Sequence, residues 1–138
     1  MKIMVIGSMA FAKEMLDTKK RLQEFGHEVS IPCDTELHIA DPLLRNDFAR
    51  DKEHVQGNDI MHRCFSLIAE SDAVLALNHH HNDVDGYLGA STLMEIGLAG
   101  HLRKKIFLLN PVANGQRYIH EVDVLGGIVI NGDLAKVA

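Results

Sequence analysis

The stretch from Asp85 to Gly100, DGYLGASTLMEIGLAG, sets one carboxylate, Glu95, among small and apolar residues at helical spacing. A charge on a helix that packs on more than one side needs a compensating partner, a capping role or a chemical task. Thr92-x-x-Glu95 matches a capping box, in which the Glu side chain reaches back to the Thr N–H. That reading requires the helix to start at Thr92. A start nearer Leu88 puts Glu95 in the second turn, where it cannot cap and is free for chemistry.

Other residues around it suit a ligand. Gly7-Ser8 follows an apolar run and precedes an amphipathic one, so backbone N–H groups and the Ser8 hydroxyl could face an anion. The pair is neither a Walker A loop nor the G-x-G-x-x-G fingerprint, and it equally suits a tight turn with Ser8 as a cap. Gly86, Gly89, Ser91 and Thr92 keep the approach to the Glu95 helix small and polar, so a ligand could come close to its N-terminus. Asn78 to Asp85 reads NHHHNDVD, three histidines and two carboxylates in one loop. Adjacent histidines cannot easily ligate one ion together, and no H-x-x-x-H appears, so no metal is expected there. A solvated, mobile lid carrying one or two functional side chains is expected instead.

These residues need elements to place them. Lys2 to Gly7 is an apolar run ended by Gly-Ser, as in a strand buried on both faces. Ala12 to Phe25 carries Met15, Leu16, Leu22 and Phe25 at amphipathic spacing before Gly26, and His27 to Pro32 is a second strand. The unit has the length of one right-handed parallel crossover. Cys33 to Gly57 is polar and predicts a loop with one or two exposed helices. Asn58-Asp59 can cap a helix running to Glu70, and Ala73 to Leu77 is a third strand. Lys105 to Leu109 and Gly127 to Ile130 complete the set, with a short helix over Tyr118 to Val124. The sum is an α/β three-layer, flavodoxin-like (Rossmann-like) sandwich with a five-stranded, mostly parallel sheet. In strand order 2-1-3-4-5 the ligand crevice lies outside the carboxyl ends of strands 1 and 3.

The chain has 138 residues, which predicts one domain over 1–138, and its 46% hydrophobic and 24% charged residues are those of a globular protein. A formal charge of −5 argues against a nucleic-acid partner. The one basic run, Arg103-Lys104-Lys105, falls where a helix should end and complements its dipole. Cys33 and Cys64 have no metal-type spacing and are expected to be free thiols in a reducing compartment. No apolar run approaches a membrane span, and MKIMVIGSMA reads as a buried strand rather than a leader, so a cytoplasmic protein is expected. A receiver domain needs an acidic pair after strand 1 and an Asp after strand 3, where this chain has Gly7-Ser8 and Asn78. With no Trp and two Tyr, a flavin site finds little support.

Four segments, "IGSMAF", "ESDAVLAL", "LMEIGLA" and "KKIFLLNP", together resemble the superfamily of nucleoside 2-deoxyribosyltransferases and 2′-deoxynucleoside 5′-phosphate N-hydrolases. The resemblance runs from Met1 to Pro111, omits Asp34 to Gly57, and is nearest to a branch with a G-Y-x-G-x-x-T-L-x-E-I-G signature, here Gly86 to Gly97. It implies a flavodoxin-like fold and cleavage or transfer at the N-glycosidic bond of a nucleoside or nucleotide without a cofactor. It also implies that Glu95 is the nucleophile, kept ionised by the field of its helix N-terminus. By analogy with two-carboxylate glycosidases, Asp83 or Asp85 would donate the proton to the departing base. Gly7, Ser8, Asn78, Tyr87, Gly89, Ser91 and Thr92 would contact substrate, with Ser8 and Ser91 on any phosphate. Relatives often complete the pocket with a neighbouring subunit, so a homo-oligomer is expected. The chain departs from the pattern in having Gly89 where the transferases carry an Asp, and Met9-Ala10-Phe11 where the phosphohydrolases carry an Arg. The alternative is a nucleotide-binding or regulatory module that keeps the fold without turnover.

Overall fold

The computed structural model describes all 138 residues. Five strands, β1 (Lys2–Gly7), β2 (Glu28–Ser30), β3 (Ala73–Leu77), β4 (Lys105–Leu108) and β5 (Ile128–Val129), form one sheet in the order β2-β1-β3-β4-β5. Every pairing is parallel, with Ile3 opposite Val29 on one side and Ala73 on the other. Strand alternation divides the core in two. Ile3, Val5, Ala73, Leu75, Leu77 and Phe107 face α1 (Ala12–Glu24), where Met15 and Leu22 meet them; Ile130, Leu134 and Val137 close the same layer. Met4, Ile6, Val74, Ala76, Ile106 and Leu108 face α4 (Ile60–Glu70) and α5 (Ala90–His101), which contribute Ile60, Cys64, Ile68, Ile96 and Ala99. Val122 of α6 (Ile119–Val124) joins this second layer. Burial on both faces is why β1 and β3 read as continuous apolar runs rather than alternating ones.

The polar segment between β2 and α4 folds into α2 (Thr35–Ala40), a 3-10 turn over Leu44–Asn46, and α3 (Phe48–Gly57). No residue of α3 is buried, so this helix lies against the domain rather than in its core. No helix is long and apolar enough to cross a membrane.

One boundary and one side-chain cap differ from the sequence reading, and one helix start that it left open is fixed. The fifth strand is two residues long; Ile130, expected within it, turns into the core while its N–H still bonds Leu108 O at 2.9 Å. Asp59 does not cap α4: it is left-handed, with φ 52°, and its carboxylate meets His62 Nδ1 at 2.7 Å. The helix carrying Glu95 begins at Ala90 with Gly89 as N-cap, so Thr92 is its third residue and Glu95 its sixth. A capping box over Thr92 and Glu95 is thereby ruled out, since the Thr would have to stand outside the helix.

Candidate active site

The carboxyl ends of β1 and β2 open into a cavity of about 370 Å³. Gly7, Ser8 and Met9 floor one side, Gly89 to Thr92 and Glu95 of α5 form another, and Ile60, Met61, Cys64 and Phe65 of α4 make an apolar wall. The remaining side is the segment the sequence left unread: Asp34, His38, Arg45, Asp51 and Val55 all line the cavity. The expected crevice lay outside the carboxyl ends of strands 1 and 3; the cavity shares its β1 edge but extends over β2, and no residue at the β3 end, Asn78 included, lines it.

Local chemistry explains each placement. Gly7 is needed because a Cβ there would come within 3.0 Å of Leu77 O, at the point where β1 and β3 part. Ser8 caps the 3-10 turn Met9–Phe11, its Oγ accepting from Ala10 N at 3.2 Å, which leaves the hydroxyl proton free to donate into the cavity. The first turn of α5 carries no acidic residue and no side-chain cap, so its N–H groups remain available at Gly89 to Thr92.

Glu95 is 8% exposed. Burial, and after it the negative charge of Asp34, push its carboxyl up to about 7; no hydrogen-bond donor offsets either. This corrects the expectation that the helix field keeps it firmly ionised. The dipole acts within the first turn, and Glu95 lies one turn beyond the strongest part of that field. Cys64, facing the same cavity, is pushed up to about 12 by burial first and by Glu95 and Asp34 next, so it stays a thiol and is no nucleophile.

Gly7, Ser8, Gly89, Ser91, Thr92 and Glu95 are thus brought together as the sequence reading grouped them. Asn78, Tyr87, Asp83 and Asp85 are not. Asn78 is fully buried and locks the ends of β3 and β4: its Nδ2 donates to Asn110 O at 2.6 Å and its Oδ1 accepts from Asn110 N at 2.8 Å. Asp85 is 84% exposed, pairs with His80 Nδ1 at 2.6 Å and borders a different hollow, while Asp83 sits in an exposed turn at φ 57°. The histidine loop is folded down rather than projecting as a lid. Phe11 meets His79 and His81 edge to face at 5.1 and 5.8 Å, and His81 stacks likewise on Tyr87 at 5.0 Å. These aromatic contacts are the work of the loop histidines.

Sequence reasoning missed the opposite wall. Asp34 is 7% exposed and accepts at one oxygen, Oδ2, from both His38 Nε2 at 3.1 Å and His54 Nε2 at 3.0 Å. Asp34 and His38 are four residues apart, the spacing of one helix face, and that much was visible; His54 arrives from α3 and carries no local signal. The set Asp34, His38, His54 is also the one group of side chains disposed to hold a metal ion.

No family model and no curated protein matches the chain. Among solved structures, its fold is similar to that of the CMP N-glycosidase BcmB of Clostridium botulinum. The TM-score is 0.54 at 18% identity, over 98% of this chain and 93% of that one. It is also similar to a 2-deoxyribosyltransferase of the psychrotolerant bacterium Bacillus psychrosaccharolyticus. There the TM-score is 0.55 at 17% identity, over 88% of this chain and 82% of that one. The flavodoxin-like architecture expected from the resemblance is therefore the architecture found.

Proposed function

We propose that the cavity cleaves, or transfers across, the N-glycosidic bond of a nucleoside or nucleoside 5′-monophosphate, with Glu95 attacking the anomeric carbon. The observation that carries this reading is Glu95 itself, a carboxylate with no protein donor in the wall of a cavity beside the carboxyl end of β1. Breaking an N-glycosidic bond builds oxocarbenium-like positive charge, which a facing carboxylate stabilises and then traps as a glycosyl ester. Water taking the ester gives hydrolysis; a second base gives transfer.

The rest of the wall suits the parts of such a substrate. Met61 and Phe65 offer apolar surface to a base, while Arg45, with Ser8 and Ser91, offers donors to a 5′-phosphate. Arg45 supplies from the inserted segment the cation that Met9-Ala10-Phe11 lacks. The two structural neighbours, a CMP N-glycosidase and a 2-deoxyribosyltransferase, support the same chemistry. Self-association belongs to this reading and is checked by sedimentation.

The test is release of free base from a panel of nucleosides and 5′-monophosphates, ribo and deoxy, with and without an acceptor base. The wild type is expected to release base from at least one, and Glu95→Gln to lose about 1,000-fold or more in kcat while remaining folded. A wild type that binds a nucleotide and releases nothing is a binding module, and the catalytic proposal ends there.

A further inference from the structure

We propose that Asp34, His38 and His54 form a binding site for one divalent first-row transition ion, of the zinc type, in the wall of the cavity. The ligand set is two imidazoles and one carboxylate, the nitrogen and oxygen donors such ions take from proteins. Each residue presents one donor atom, and the three atoms lie within 4.8 Å of one another. The two edges from Asp34 Oδ2, 3.1 and 3.0 Å, are close to the roughly 3.3 Å that separates ligand atoms around a tetrahedral zinc ion.

Two further observations point to a cation rather than to a purely hydrogen-bonded cluster. Asp34 Oδ1 is buried and without a partner, and a buried carboxylate oxygen left unmatched is costly. A cation held between the carboxylate and the two rings would compensate that unmatched charge. The only side chains bonded to Asp34 are the two histidines; no Lys or Arg pairs with it, although the carboxyl of Glu95 is also nearby.

Three protein ligands leave a coordination position open. Because Asp34 and His38 line the cavity, that position faces the space beside Glu95, where water or an oxygen of a bound ligand would fill it. The ion also explains the placement of α3. This helix has no buried residue, and His54 is its one side chain tied to the buried carboxylate on the cavity wall.

The experiment is metal binding to the intact chain, independent of any turnover. Protein stripped with chelator is titrated with Zn²⁺ against a chromophoric competitor, and with Co²⁺ read by its visible absorption. The proposal expects one tight equivalent per chain, intense Co²⁺ bands of low coordination number, and a rise in Tm on adding Zn²⁺. Asp34→Asn keeps the size and shape of the side chain, and His54→Gln alters a partly exposed position. Each is expected to weaken Zn²⁺ binding at least 100-fold with circular dichroism unchanged. His62→Gln, an exposed histidine paired with Asp59, serves as the control and should change nothing. Absence of a tight equivalent in the wild type overturns the site, as does tight binding that survives both Asp34→Asn and His54→Gln.

Discussion

Glu95 unites the stability and the chemistry of this protein in one ionisation. Its carboxyl is raised to about 7 from an ordinary 4.5, so the folded chain holds a proton that the unfolded chain has released. Between those values the native state binds more protons than the unfolded state, and stability therefore falls as pH rises. The loss is complete above the folded value and amounts to about 3 kcal/mol at most. Urea unfolding in the presence of chelator should show the wild type losing stability from pH 5 to pH 8. Glu95→Gln, which has no charge to bury, should lack this component and exceed the wild type in stability at pH 8. If the proposed nucleophile acts as its carboxylate, kcat/KM should climb over the same interval. A second residue-scale outcome concerns Arg45. Arg45→Ala should raise KM for a 5′-monophosphate about tenfold or more, equivalent to losing about 1.4 kcal/mol or more, and leave the corresponding nucleoside unaffected. Equal effects on both would remove Arg45 from phosphate recognition.

At the scale of elements, the loop after β3 shows how a polar run can be structural. Its tip is closed by the His81–Val84 bridge, its base by Tyr87 N to His79 O at 3.1 Å, and its flank by the edge-to-face rings. Gly86 is where the loop passes the β4 exit. It has φ +65°, and a Cβ there would lie 2.1 Å from Pro111 O. Gly86→Ala should therefore cost about 2–4 kcal/mol by combining a left-handed backbone with overlap on a neighbouring main chain, as thermal or urea unfolding would measure. The strands and long helices were legible because their apolar residues repeat with the period of the element. Thus β1, α1, β3, α5 and β4 fall within a few residues of expectation. The segment from Cys33 to Gly57 was not legible. Its two helices bury few residues of their own, so no periodic pattern marks them. Asp83 and Asp85 were grouped with Glu95 by analogy with two-carboxylate glycosidases, yet neither lines the cavity that Glu95 borders.

The whole molecule is one sheet with a core on each face, and the two cores share every central strand. Removing either layer exposes the strands of the other, so calorimetric unfolding should give a single transition whose measured and van't Hoff enthalpies agree. Hydrogen exchange of the metal-free protein should separate α3 from this unit. Its amides are expected to exchange well before those of β3, because the helix buries no residue fully and only Val55 packs against a core. Two resolved heat-capacity peaks would instead divide the domain. What the sequence alone determined was the strands, the helices between them and the carboxylate on the helix after the third strand. The strands and helices follow from apolar periodicity and their parallel pairing from right-handed crossovers, both of which act over short stretches of chain. Only the tertiary structure decided what faces that carboxylate. Asp34, His38, Arg45 and Asp51 reach the crevice through the packing of an inserted segment against α1 and α4, and contacts between residues so far apart in the chain leave no repeat to read.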